Sequence, residues 1–440
     1  MSITSSYCFD IKEPALRLSD EFSIISRLKN EQETIIDSQT IEYYFETVPQ
    51  IHFEVTEMCN FKCMYCGYGE NYIQPKLRPL NTSRFMCWDL AKTFIDRFIE
   101  IWKSQQAHRN IIVGFYGGEP LLNFKLIERI VEYLIANSPQ YITFSWSITT
   151  NGFLLDKYLD FLIKHQFNID ISIDGDSNSD CFRLLHDGRP TFSYVIKNID
   201  YLYNHQPAYF RDHVSVQSVI NNRAHVIDVI SFFYERYRII PKIIELSTIG
   251  LCNKNLINEI FRDVKDDLEF SFWKNEHLFN TYGIESPVND HLIKIIRTFS
   301  TNYYGDYSDF FLDNEGDAKE NRTESATCPP FSTRIFLTAS GFLFPCERVD
   351  FMHPLGSINK GVLDINLEDV SRMYSSLFTR LKKLCPNCLH QYNCSHCFMQ
   401  DGYFDNDSIK CSDYQRITQA DIYDKIDYLR SHSQYLPQLL

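Results

Sequence analysis

Between residues 50 and 250, six short runs that read as strands alternate with five longer amphipathic segments. The strand-like runs are Gln50–Thr56, Asn110–Tyr116, Thr143–Thr149, Asn168–Asp174, His213–Ile220 and Ile243–Ser247. Helical periodicity falls between them, at Asp89–Lys103, Leu122–Ala136, Asp156–Lys164, Thr191–Asn204 and His225–Tyr237. This alternation predicts an α/β fold with a parallel sheet and right-handed crossovers. Its length suits a partial, six-unit TIM-like (β/α)6 barrel better than a closed eight-fold one. Loops that follow the strands form the active face of such a sheet, so motifs placed there carry the most weight.

The first such motif follows the first strand. Cys59, Cys63 and Cys66 stand in the run Met58-Cys59-Asn60-Phe61-Lys62-Cys63-Met64-Tyr65-Cys66, a C-x3-C-x2-C triplet. Three thiolates on so short a loop can hold three corners of a cubic four-iron cluster and leave the fourth iron open. An open iron is a place for chemistry rather than for structure. The competing readings are a partial zinc site and three buried core cysteines. Structural zinc wants four ligands, usually as two close pairs, and no fourth Cys or His lies nearby in sequence.

The second motif, Phe115-Tyr116-Gly117-Gly118-Glu119-Pro120, directly follows the second strand. Two glycines let backbone approach a ligand closely, and Pro120 stiffens the exit. By itself a Gly-Gly pair is more often an ordinary turn. One βα unit after the triplet, it reads as a clamp for a small polar ligand.

Composition narrows the classes. The chain has 440 residues with 34 Phe and 27 Tyr, and 44% of it is hydrophobic, which describes an ordered globular protein of two or three domains. The charge balance, 43 − 57 = −14, argues against a nucleic-acid surface. Met1–Leu18 carries no charged-then-apolar signal, and no run of about 18 apolar residues occurs, so no membrane partner is expected. Clustered cysteines, 14 in all, then point to metal ligands in a reducing cytoplasm.

The pairing of the triplet with the Gly-Gly motif resembles the radical SAM superfamily. That resemblance implies a four-iron cluster on Cys59, Cys63 and Cys66, with S-adenosylmethionine (SAM) chelating the open iron. It implies that Tyr65 lies near the adenine and that Gly117, Gly118 and Glu119 belong to the segment binding the methionine amino group. Thr150-Asn151-Gly152 resembles the family's third-strand motif, which places Asn151 near the ribose. Ser172 and Arg183 look like the pair binding the SAM carboxylate, a task suited to a planar guanidinium fork.

A second cysteine-rich region holds Cys328, Gly341, Cys346, Cys385, Cys388, Cys394, Cys397 and Cys411. Seven cysteines exceed one tetrahedral site and fall one short of two. A zinc ribbon built from Cys385, Cys388, Cys394 and Cys397 is one reading. The pattern also resembles the SPASM extension of radical SAM enzymes, a small domain binding two auxiliary iron–sulfur clusters. The resemblance implies an outer cluster on Cys385, Cys388, Cys394 and Cys411 and an inner one on Cys328, Cys346 and Cys397. The last internal spacing is x2 here where x3 is commoner, and no cysteine stands within Arg322–Thr327 to complete the inner set. Cys252 is a candidate for that fourth ligand, or a small packing residue. With the triplet, three [4Fe-4S] clusters are implied. Glu347 stands where sulfatase-maturing relatives carry a catalytic aspartate, so it is the candidate base; a strand-end surface Glu is the alternative.

These readings divide the chain into an N-terminal extension (1–48), the partial barrel (49–250), a helical bridge and polar linker (251–327), the SPASM region (328–415) and a closing helix (416–440). Helical pieces are expected at Ile257–Phe272 and Asp290–Phe299, and a solvated linker at Gly305–Thr327. The segment Arg183–Ile199 resembles peptide-modifying radical SAM enzymes with SPASM domains. The leading expectation is therefore a peptide maturase, an oxidoreductase forming a thioether or carbon–carbon crosslink in a ribosomally made precursor peptide. A sulfatase-maturing enzyme making formylglycine is the alternative. A SAM-free iron–sulfur or zinc protein is the alternative of another class, and it leaves Gly118, Ser172 and Arg183 without a purpose. Residues 1–48 are short for a complete leader-binding domain, so a reduced substitute or a separate recognition protein is expected. The family's usual reductant is a flavodoxin or ferredoxin.

Overall fold

The computed structural model describes residues 36–72, 77, 84–246, 251–283, 327–349 and 351–385, with isolated positions at 388, 397–399, 411, 418, 420, 424, 427–428 and 431–432. The expected helix at Asp290–Phe299 and Cys394 lie outside the described residues, as do nearly all of the linker before Thr327 and most of the closing helix.

Six strands form in the order expected: β1 Gln50–Thr56, β2 Arg109–Gly117, β3 Ile142–Thr150, β4 Asn168–Ser172, β5 Val214–Val219 and β6 Lys242–Ile244. Each pairs in parallel with the next. Between them run α2 Trp88–Gln105, α3 Phe124–Asn137, α4 Leu155–Lys164, α5 Phe192–His205 with the short α6 Pro207–His213, and α7 Val226–Tyr237. An earlier helix, α1 Ser38–Thr47, precedes β1.

The cysteine-rich region continues the same sheet. Its first strand, β7 Ile335–Leu337, lies parallel to β1 on the side away from β2. Antiparallel β8 Phe342–Phe344, β9 Gly356–Asn359 and β10 Val362–Asp364 extend it outward, giving ten strands in the order β10-β9-β8-β7-β1-β2-β3-β4-β5-β6. β1 is thereby an interior strand, and the loop leaving it is flanked by both halves of the sheet.

Alternation along β1 separates two faces. Ile51, Phe53 and Val55 are fully buried against the helices, with Phe53 edge-on to Phe94 of α2 at 5.6 Å and stacked near Phe115 of β2 at 6.1 Å. Each such side chain contributes about 1.5–3 kcal/mol by burial. The other face carries His52, Glu54 and Thr56, joined on neighbouring strands by Tyr116, Ser147, Asp170, Ser172 and Gln217. A polar face thus lies under the motif-bearing loops, with Glu54 and Thr56 fully buried in it.

The region after β6 departs from the single helix expected over Ile257–Phe272. Two helices form, α8 Asn255–Ile260 and α9 Val264–Tyr282. Arg262 is drawn out of helical register by Asp267 (2.6 Å) and by the Asn221 carbonyl (3.2 Å), while Asn222 N–H takes the Ile260 carbonyl. A further helix, α10 Leu367–Leu384, buries Val370, Tyr374, Leu377, Phe378 and Leu381 on one stripe. It docks the start of the described chain, since Ser371 Oγ donates to the Ile36 carbonyl at 2.7 Å. Phe45 of α1 packs edge-on against Phe331 at 5.3 Å, so this part of the N-terminal extension is core.

Candidate active site

The triplet loop leaves β1 and is held along its length by the segment after β4. Lys62 N–H donates to the Leu184 carbonyl (2.7 Å) and Met64 N–H to that of Phe182 (3.1 Å). His186 Nε2 lies 2.9 Å from the Cys59 carbonyl. Burial pushes the Cys63 thiol up to about 12, against the pull of Arg183, and pushes Cys59 up as well with the Glu119 charge adding to it. Cys63 and Cys66 both push Cys59 up, and Cys66 pushes Cys63 up, which places the three in one electrostatic neighbourhood. Among the described residues, no three His, Cys, Asp or Glu side chains converge on a point as ligands of a single ion do. A cube gives each thiolate its own iron, so the triplet fits that group by sharing a loop rather than a point. Metal would bind these cysteines as thiolates and release their protons.

The Gly-Gly motif braces this loop. Gly118 N–H donates to the Thr56 carbonyl (2.9 Å), Glu119 N–H to that of Met58 (2.8 Å), and Asn123 Nδ2 to that of Val55 (2.7 Å). A Cβ on Gly117 would stand 2.2 Å from the Thr56 oxygen, and one on Gly118 2.2 Å from the Met58 oxygen. Gly117 also has φ +151, where side chains are disfavoured. The glycines therefore serve close approach of one backbone to another.

Glu119 is fully buried, and both its oxygens are engaged. Oε1 accepts from Leu121 N–H (3.1 Å) and Thr150 Oγ1 (2.7 Å), and Oε2 accepts from Asn151 N–H (2.7 Å). Burial pushes its carboxyl up to about 7 despite these bonds. Asn151 carries the strut onward, its Nδ2 donating to Asn60 Oδ1 at 2.8 Å and lying 3.8 Å from Cys59 Sγ. A line of hydrogen bonds thus runs from the end of β2 through the end of β3 to the first cysteine.

Arg183 and Tyr65 meet on a residue that the sequence reading left without a role. Asp174 is fully buried; its Oδ1 accepts from Arg183 Nη2 (2.9 Å) and Val219 N–H (3.0 Å), and its Oδ2 accepts from the Tyr65 hydroxyl. The Arg183 guanidinium also lies 5.5 Å over the Tyr65 ring. Asp180 stands 3.6 Å from Arg183 Nε, and burial with the Asp174 charge pushes its carboxyl up to about 7. Ser172 is placed elsewhere: its Oγ accepts from Gln217 Nε2 (2.8 Å), its partner across β4 and β5. No hydrogen bond joins Ser172 to Arg183 among the described residues. Asp174 was legible in principle, as a carboxylate two residues beyond Ser172 and nine before a buried arginine.

The cysteine-rich region meets the triplet loop at Glu347. Tyr68, two residues past Cys66, donates its hydroxyl to the Glu347 carbonyl at 2.9 Å. The Glu347 carboxylate accepts from Arg334 Nη1 at 3.1 and 2.9 Å. Burial is the largest influence and would raise its pKa, but the Arg334 charge together with the hydrogen bonds the carboxylate accepts lowers it overall. His52, on the same face, is depressed to about 4 by burial and by Arg334, so its imidazole is neutral. The Cys346 thiol is pushed up to about 12, first by burial and then by Glu347, with a contribution from Cys397. Buried Tyr374 of α10 senses Cys397, Cys346 and Cys328 together, so these three share one neighbourhood around its hydroxyl. Cys385 and Cys388 are buried next to each other, joined by a 2.9 Å backbone bond, and Cys411 is partly buried. Cys252 sits beside the exit of the triplet loop, its N–H donating to the Asn71 carbonyl at 2.8 Å.

The sheet thus carries a cysteine triplet after its first strand and a glycine brace after its second. Residues 53–217 match the model of the radical SAM superfamily. The match runs from within β1 to within β5 and takes in the triplet and the Gly-Gly motif. By sequence the chain is similar to the radical SAM cyclopropyl synthase TigE of Paramaledivibacter caminithermalis, 27% identical over 162 residues, 36% of this chain and 33% of that one. It is also similar to a serine-type anaerobic sulfatase-maturating enzyme of Klebsiella aerogenes, 28% identical over 151 residues, 34% of this chain and 35% of that one. Both matches span about a third of the relative's length. The fold is shared with native anSMEcpe solved with bound AdoMet and Kp18Cys peptide, at TM-score 0.56 and 18% identity over 89% of this chain and 100% of that one. Among the described residues no helix is long and apolar enough to cross a membrane.

Proposed function

We propose that this chain is a SPASM-type radical SAM enzyme that modifies a ribosomally made peptide, forming a thioether or carbon–carbon crosslink. The observation that carries this reading is the bond from Tyr68 to the Glu347 carbonyl, which ties the triplet loop to the residue after Cys346. It brings the loop bearing Cys59, Cys63 and Cys66 against the residue that follows Cys346, which supports a substrate held between the two cysteine regions. Relatives that are a cyclopropyl synthase and a sulfatase-maturating enzyme, and a shared fold with a peptide-bound structure, support a peptide as the substrate.

In this reading Cys59, Cys63 and Cys66 hold the SAM cluster. Cys328, Cys346 and Cys397 hold the inner auxiliary cluster, supported by their shared neighbourhood at Tyr374. Cys385, Cys388, Cys394 and Cys411 hold the outer one. When bound, the cluster and SAM would supply the chemistry of radical hydrogen abstraction. The chain's own residues do the rest. Asp174 fixes Arg183 and Tyr65, the Glu119–Asn151 strut fixes Cys59, and Tyr68 fixes the backbone at Glu347. Glu347, paired with Arg334, is the carboxylate that would take a proton from the substrate. A flavodoxin or ferredoxin serves as reductant, and a separate protein or a reduced N-terminal element recognises the leader.

The test is to supply the anaerobically reconstituted chain with candidate precursor peptides and follow them by mass spectrometry. A SAM-dependent loss of hydrogen with a new crosslink is expected. Formation of a hydrazide-reactive aldehyde instead would favour formylglycine synthesis, the second reading that the Klebsiella relative supports.

A further inference from the structure

Asn60 sits beside Cys59 in the triplet loop, and its Nδ2 is buried with no hydrogen-bond partner among the described residues. An unsatisfied buried amide donor costs about 1–3 kcal/mol, so its orientation needs a cause. The cause can be followed bond by bond. Asn151 Oδ1 accepts from Phe153 N–H at 3.0 Å, which fixes that amide with Nδ2 pointing toward the triplet. Asn151 Nδ2 is a donor, so Asn60 must present its oxygen, and it does so at 2.8 Å. Turning Asn60 over would set two N–H groups against each other. Its own Nδ2 is thereby held as a buried donor next to the first cysteine.

We infer that Asn60 donates a hydrogen bond to a sulfur of the cluster held by Cys59, Cys63 and Cys66, and so raises its reduction potential. The inference rests on the proposal that the triplet holds a cluster. Sulfur gains negative charge when a cluster accepts an electron, and a fixed N–H favours that state over the oxidised one. Asn151 then acts as a positioning residue: besides lying 3.8 Å from Cys59 Sγ, it keeps the Asn60 amide facing the right way. The sheet reaches the cluster's electronics through Glu119, which accepts the Asn151 backbone N–H.

The test is a redox titration of the anaerobically reconstituted full chain, followed by electron paramagnetic resonance, with iron and sulfide counted per chain. The triplet cluster is identified as the signal that changes when SAM is added. Asn60→Leu and Asn60→Asp should keep wild-type iron yet be about tenfold harder to reduce, equivalent to about 59 mV more negative for one electron. Asn60→Gln, which keeps an amide donor, should recover part of the shift. Wild-type potentials in Asn60→Leu and Asn60→Asp at full iron would overturn the inference. So would loss of the cluster in all three variants, which would make Asn60 purely structural. If the wild-type signal ignores SAM, the functional reading itself fails, and that outcome is distinct from the others.

Discussion

Asp174 joins three parts of the site through one buried carboxylate: the Tyr65 hydroxyl, the Arg183 guanidinium and the Val219 N–H of β5. Arg183 is only 9% exposed at its side chain, so removing its counter-charge leaves a cation with little water. Asp174→Asn should therefore cost about 3–5 kcal/mol of stability, measured by urea denaturation, as expected for breaking a buried pair. Glu119 makes a different point. Its carboxyl is raised from 4.5 to about 7, so the native state binds a proton more tightly than the unfolded chain between those values. Its contribution to stability is complete below about 4.5 and lost as pH rises through about 7. Glu119→Gln should flatten part of that decline, since Asp180 titrates over the same window. It should also lower stability at neutral pH by about 1–3 kcal/mol, because an amide N–H would face the N–H of Asn151. Two of these residues show how far sequence reading reaches. Glu119 was expected at the cofactor from its motif, whereas its hydrogen bonds run to β3, a partnership between residues 31 and 32 positions apart that no local pattern encodes. Asp174 stands two residues beyond Ser172, and only the fold shows that its carboxylate meets Arg183.

The loop after β1 is held by the strand ends around it as well as by its own hydrogen bonds, such as Gly69 N–H to the Cys66 carbonyl at 2.7 Å. Gly118 brings the backbone of β2 against Met58, so Gly118→Ala forces a Cβ to within 2.2 Å of a carbonyl oxygen and must displace the triplet loop. The expected result is a folded chain that holds fewer irons after reconstitution, read by iron analysis. Gly114→Ala is the control on the same strand. Its Cβ would meet the His52 ring at 2.6 Å, a side chain that can shift, so a cost of about 1–3 kcal/mol with unchanged iron is expected. The strands were readable because alternation and β-branched runs are local signals. Helix α10 carries Val370, Tyr374, Leu377 and Phe378 at helical spacing, a local signal that lies inside the cysteine-rich stretch. The break at Arg262 could not be read, since its cause is Asp267 acting across a turn.

At the scale of the molecule, one sheet carries both cysteine regions. β7 joins β1 on its free side, so the polypeptide that bears Cys346 becomes a neighbour of the triplet loop by strand pairing alone. Spacing in the sequence suggested two regions; it could not say that they share a face, because residues 68 and 347 meet only through the sheet. If three clusters are held, anaerobically prepared protein should carry about twelve irons per chain, and replacement of Cys346 and Cys397 together should remove about four of them. The central claim is that the triplet is a source of radicals, and it is tested most directly by product analysis without any peptide. Anaerobic, reconstituted full-length chain is reduced with dithionite, given SAM, and assayed for 5′-deoxyadenosine beside a Cys63→Ala variant. The account expects 5′-deoxyadenosine and methionine from the wild type and neither from the variant. A wild-type chain with full iron that yields no 5′-deoxyadenosine would contradict it.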